Sequence, residues 1–133
     1  MALIRSEVQG EVRIIFIDEV RLVDPLAIEQ CYREIIDELG KTEERQVLLH
    51  FGHVAFLSSS ALGILVRISK KCKEFKISLK LCSISPEIFQ VFKITGLDKV
   101  FDTHRDAPDA LQAFSSAGKS FFRKFGATTY KVE

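Results

Sequence analysis

The run Val47-Leu48-Leu49-His50-Phe51 constrains the fold more than any other part of the chain. A nearly continuous apolar run of this length suits a strand buried on both faces, and such a strand needs helices above and below its sheet. The flanking sequence supplies them. Asp24-Pro25 opens a helix with an N-cap and a proline at the first helical position. Ile28, Cys31, Tyr32, Ile35, Ile36 and Leu39 line one face of it, charged residues the other, and Gly40 is its expected stop. On the other side, Ser58-Ser59-Ser60 begins a second helix that runs to about Cys72. Its first half, Ala61 to Val66, is apolar almost all round and is expected to be deeply packed.

The rest of the chain repeats this alternation. Leu3–Val8 and Val12–Ile17 read as two strands joined at Gly10. Lys41–Arg45 is a charged loop, and Gly52–Leu57 is the exit loop of the apolar strand. Ile77–Cys82 alternates as a strand. Ser85-Pro86 opens a third helix carrying Ile88, Phe89, Phe92 and Ile94, which Thr95-Gly96 ends. Lys99-Val100-Phe101 reads as a short final strand, and Asp106-Ala107-Pro108 starts a fourth helix that buries Leu111 and Phe114. The order β-β-α-β-α-β-α-β-α predicts an α/β domain with a four- to five-stranded mixed β-sheet and about four α-helices. It occupies residues 1–115. Residues 116–133, with the basic aromatic run Lys119–Phe125, read as a C-terminal extension, packed or frayed.

Composition excludes several functions. A net charge of +1 lacks the cationic surplus of a nucleic-acid binder. Arg67, Lys70, Lys71 and Lys73 instead complement the dipole at the end of the second helix. No segment has the roughly 18 apolar residues of a membrane span, and Met1–Glu7 does not resemble a signal peptide, so the expected compartment is cytoplasmic. Cys31, Cys72 and Cys82 are widely spaced, which predicts reduced, partly buried thiols and no zinc site. His50 and His53 lack ligands at metal spacing, and His50, His53 and His104 are read as one histidine in or near the sheet and two in loops. The serines sit on no GxSxG elbow, and there is no phosphate-binding glycine loop and no cluster of carboxylates at a strand end. The expectation is therefore no enzyme, no catalytic residue, no metal and no cofactor.

The serine triplet remains. Ser58 suits an N-cap, which leaves Ser59 and Ser60 exposed in the first turn, where helix amides tolerate a phosphate. Phosphorylation there adds about two negative charges to a contact surface without disturbing the core.

Val47 to Gly63, including Phe56-Leu57-Ser58-Ser59-Ser60-Ala61-Leu62-Gly63, resembles the central motif of STAS domains, an apolar strand and loop followed by Asp-Ser-Ser/Thr-Gly-Leu-Gly. Thr95-Gly96-Leu97-Asp98 resembles that family's late Thr-Gly-Leu-Asp segment. The similarity runs from about Leu3 to Phe114. It implies a bacterial anti-sigma factor antagonist, a regulator of transcription by signal transduction. Its implied partners are an anti-sigma factor that is also a serine-protein kinase and a cognate phosphatase. Carried over, the family Asp falls on Ser58, the phospho-acceptor on Ser59 (alternatives Ser58 and Ser60) and the family Gly on Ala61. The acidic turn after the second strand falls on Asp18, Glu19 or Asp24. The expected partner surface comprises Phe56, Leu57, Ser58, Ser60 and Asp24, on a monomer or weak dimer. Two other readings stand beside it. One is a constitutive STAS scaffold or regulatory subunit of a transporter or signalling complex, without phosphorylation. The other is a small-ligand or nucleotide-binding domain using the strand carboxyl ends.

Overall fold

Gly10 lies at φ +62, in the left-handed region that glycine enters without strain. It turns β1 (Ile4–Gln9) back along β2 (Val12–Ile17), with Gln9 opposite Val12 and a two-residue loop between them. The structure, a computed structural model, describes residues 2–115. After the hairpin come β3 (Arg21–Leu22), α1 (Pro25–Lys41), β4 (Gln46–His50), β5 (Phe56–Leu57) and α2 (Ser59–Glu74). β6 (Ser78–Cys82), α3 (Pro86–Thr95), a 3-10 turn (Leu97–Lys99) and β7 (Thr103–His104) follow. A last helix, α4, covers 107–115.

Five strands form one mixed sheet in the order β1-β2-β4-β6-β7. β1 is antiparallel to β2, and every other neighbour is parallel. The expected α/β architecture is thus observed, with four helices on five strands. β4 is the central strand, and Val47, Leu48 and Leu49 are all 0% exposed. Val47 and Leu49 face the larger cluster, built with Ile28, Cys31 and Ile35 of α1, Leu65 and Ile68 of α2, and Ile88 and Phe92 of α3. Leu48 faces a smaller cluster with Val12, Ile14 and Cys82, closed by Ala110 and Phe114 of α4. Each such aliphatic side chain contributes about 1.5–3 kcal/mol by leaving water.

Three helices start on side-chain caps that the sequence signals. Asp24 accepts from the Ala27 N–H (3.0 Å), Ser58 from the Ala61 N–H (3.2 Å) and Ser85 from the Ile88 N–H (3.3 Å). Asp106 caps α4 in the same way, accepting from the Asp109 N–H (3.0 Å).

Several expectations need correction. Gly40 does not end α1. The helix continues through Lys41 to Thr42, whose N–H donates to the Glu38 carbonyl, and whose hydroxyl is held by Arg13 and Glu44. Lys99-Val100-Phe101 is not a strand. Gly96, at φ +79, closes α3, the chain makes a 3-10 turn, and Phe101 is drawn into the core against Phe92; pairing with β6 resumes only at Thr103–His104. His104 is therefore on a strand and not in a loop. The exit loop Gly52–Leu57 ends in β5, which pairs in parallel with β3 as a separate two-stranded ribbon. α2 runs two residues past Cys72. The cysteines are fully rather than partly buried, and all three are free thiols. Residues 116–133, with the Lys119–Phe125 run, lie outside the described residues.

Candidate functional site

The β3–β5 ribbon assembles the site. Arg21 pairs with Phe56 and Leu22 with Leu57. The Val20 carbonyl accepts from the Ala55 and Phe56 N–H groups, and the Leu22 carbonyl accepts from the Ser58 N–H. Alternation sends Leu22 and Leu57 inward and leaves Arg21 and Phe56 outward. The Arg21 guanidinium lies over the Phe56 ring, 4.6 Å from its centroid. Beyond the ribbon both strands enter helices, so the N-termini of α1 and α2 lie side by side, capped by Asp24 and Ser58. The body of the two helices is also packed together, with Arg67 of α2 over the Tyr32 ring of α1 at 4.2 Å.

The expected site residues separate by role. Ser58 is half-buried and committed, because its N–H, carbonyl and hydroxyl are all hydrogen-bonded. Ser59 and Ser60 are exposed in the first turn of α2. Phe56 is 54% exposed, whereas Leu57 packs against the main core. Asp24 is exposed and serves as the α1 cap. Val20, Val23 and Leu26 were not singled out by sequence reasoning, yet they are 57%, 39% and 80% exposed around the same ribbon and helix start. Leu26 was legible in principle, since it falls off the apolar stripe of α1. Val20 and Val23 look like ordinary strand residues.

Among the three candidates for an acidic turn, Asp18 is engaged elsewhere. It binds Arg5 through Nε at 2.6 Å and approaches His53 at 3.4 Å. The hydrogen bond from Arg5 holds its carboxyl below the usual range, with the charges of Arg5 and His53 adding to the effect. Arg5 also lies over Phe16, whose ring packs at a tilt against His50, with centroids 4.8 Å apart. Burial pushes the His50 imidazole below its ordinary value, assisted by the charges of His53 and Arg5. The Gly52 N–H donates to His50 Nδ1 at 3.1 Å. A Cβ at Gly52 would stand 2.7 Å from His50 Cε1, so a side chain there would have to push the imidazole aside.

An open trough of about 550 Å³ lies at the opposite end of the sheet, lined by Gly10, Glu11, Glu43, Glu44, Arg45 and Gln46. That is the amino end of the parallel strands, away from the carboxyl ends where doubly wound folds take ligands. No helix among the described residues is long and apolar enough to cross a membrane.

The STAS domain family model matches residues 4–110. BtrV of Bordetella bronchiseptica, a proposed anti-sigma factor antagonist, is 28% identical over 96 residues, which span 72% of this chain and 82% of that protein. The structure of an anti-sigma-factor antagonist (STAS) domain protein from Planctomyces limnophilus superposes with a TM-score of 0.73 at 30% identity, over 85% of this chain and 98% of the other. The Bacillus cell fate determinant SpoIIAA in its phosphorylated form shares the fold, with a TM-score of 0.61 at 20% identity over 84% of this chain and 98% of that one. The chain belongs to the STAS domain family, and anti-sigma factor antagonists are among its relatives.

Proposed function

We propose that this STAS-domain chain is a phospho-switched anti-sigma factor antagonist. It acts in the bacterial cytoplasm by binding and not by catalysis. Its partner is an anti-sigma factor with serine-kinase activity, and a cognate phosphatase reverses the modification. The observation that carries this reading is the placement of exposed Ser59 on a firmly capped helix start, beside the exposed apolar residues Phe56, Val23 and Leu26. An apolar patch of that kind, rimmed by polar groups, marks a protein contact. The aromatic ring stacked by Arg21 is suited to anchor it.

The switch follows from electrostatics. A phosphate on Ser59 sits near the unsatisfied amides of the first turn, so α2 tolerates it. The same phosphate places about two negative charges at the edge of an apolar contact and beside the Asp24 carboxylate, which opposes docking. The core need not move. Ser58 is an unfavourable acceptor because its hydroxyl already serves the Ala61 N–H.

One observation favours a second reading, a constitutive scaffold. Ser58 stands where the family motif carries an acidic residue, so the carboxylate beside the acceptor is replaced by a neutral cap. Intact-mass analysis and site mapping after incubation with ATP and a cognate kinase decide between the two. One phosphate on Ser59, lost in Ser59→Ala, supports the switch. No phosphate on Ser58, Ser59 or Ser60 leaves the scaffold.

A further inference from the structure

β1 is an edge strand, and no other strand among the described residues covers its outer side. Its polarity is fixed by the hairpin. The Asp18 N–H donates to the Leu3 carbonyl, and alternate pairs of the ladder from there, Arg5–Phe16, Glu7–Ile14 and Gln9–Val12, bond inward to β2. The backbone groups of Ile4, Ser6 and Val8 therefore point outward. The Ile4 N–H meets Glu34 Oε1 at 3.2 Å, an oxygen that the Leu3 N–H also reaches at 2.8 Å where the strand begins. The Ile4 carbonyl and both backbone groups of Ser6 and Val8 remain at the open edge. Val8 is also 42% exposed, on the same side of the strand as Ile4.

We infer that β1 pairs antiparallel with β1 of a second copy of this chain, about a two-fold axis at Ser6, joining two sheets into one. Self-complementarity of the side chains selects both the occupant and the register. With the axis at Ser6, Arg5 stands opposite Glu7 of the second copy, and Ile4 opposite Val8. Opposite charges and aliphatic pairs stabilise directly facing positions, and each contact occurs twice by symmetry. Moving the axis to Glu7 would set two carboxylates face to face, which destabilises. In the Ser6 register outward-pointing residues meet one another. Ser6 bonds to Ser6 in both directions, and each Val8 N–H reaches an Ile4 carbonyl, four bonds that leave Glu34 on the Ile4 amide. Arg5 and Glu7 are free to take part. Arg5 uses Nε and Nη2 on Asp18 and retains further N–H groups, and Glu7 accepts from the Gln9 side chain through one carboxylate oxygen.

Sedimentation velocity of the full chain over a wide concentration range tests the pairing. The expected result is a monomer–dimer equilibrium that Val8→Pro abolishes. The proline removes an N–H that points away from β2, so the hairpin is kept, and an unchanged circular-dichroism spectrum and melting curve verify it. Arg5→Glu and Glu7→Arg each weaken self-association by about tenfold or more, and an equimolar mixture of the two restores it, because the mixed pair recovers both attractive contacts. A chain that stays monomeric at every concentration overturns the inference. So does a dimer that survives Val8→Pro, or a mixture of the charge variants that associates no better than either alone.

Discussion

α1 and α2 are nearly a matched pair. They have 17 and 16 residues, pack against each other, begin on capped residues at the end of one ribbon, and each buries a cysteine. They differ in the first turn. α1 opens with Pro25-Leu26, a fixed φ and an aliphatic side chain that no hydroxyl chemistry can alter. α2 opens with Ser59-Ser60, two exposed hydroxyls. A helix start needs one cap, and each helix has one. The surplus serines on α2 therefore contribute nothing to folding that Pro25 and Leu26 do not supply better on α1. Residues that stability does not require are where a surface carries its chemistry.

The largest effect that separates the two helices is expected from charge. Ser59→Asp should weaken binding of the anti-sigma partner by about 100-fold, measured by calorimetric titration, because an unpaired carboxylate enters an apolar contact. Leu26→Asp, at the equivalent turn of α1, should weaken it less; equal losses would mean that the two helix starts are one undifferentiated surface. Next comes Phe56→Ala, expected to cost about 2 kcal/mol of binding as an anchor is removed. Its melting temperature should hardly move, since the ring is exposed. The caps come third. Asp24→Ala and Ser58→Ala should each lower stability by about 1 kcal/mol in urea denaturation. The comparison sharpens if the Ser58→Ala chain still takes a phosphate on Ser59, and it breaks if phosphorylation is lost with the cap.

The smallest effect concerns the thiols, where the helices should behave alike. Burial pushes Cys31 up to about 12, helped by Glu34 and Glu19, and Cys72 up to about 11. Neither should react with iodoacetamide at pH 8 until the chain unfolds. Folding raises both values, so their contribution to stability is full below the ordinary thiol value of about 8.5. It declines as pH climbs from there toward about 11 and about 12. Rapid alkylation of either native thiol would show that its helix opens.

The sequence made some of this visible and hid the rest for physical reasons. β4 and α1 were legible because burial on both faces and a helical stripe each leave a strong periodic record. The caps Asp24, Ser58 and Ser85 were legible because capping chemistry is local. β3 and β5 were not, because two-residue strands have no period and their pairing joins distant parts of the chain. The site inherits that division. Ser59, Phe56 and Asp24 became candidates through motif and cap, while Val20, Val23 and Leu26 became candidates only once the ribbon and the helix starts it joins were seen. The strand expected at Lys99–Phe101 failed because Phe101 gains more from packing on Phe92 than from the sheet edge. Gly40 misled because a glycine near a helix end signals a stop, yet Thr42 satisfies the last turn one residue beyond Lys41.

The ribbon also sets when the proposed docking surface comes into being. The hairpin, the helices and their caps are built from neighbours in sequence and need little chain closure. Pairing Arg21 with Phe56 must wait until α1 and β4 have been laid down between them, since contacts between distant residues carry the closure entropy of the intervening chain. A nascent or partly folded chain can thus possess its serines and its helices and still have no surface to offer. Under the proposed function, partner capture would then report completed folding, and such a regulator would not titrate its target with unfinished copies of itself.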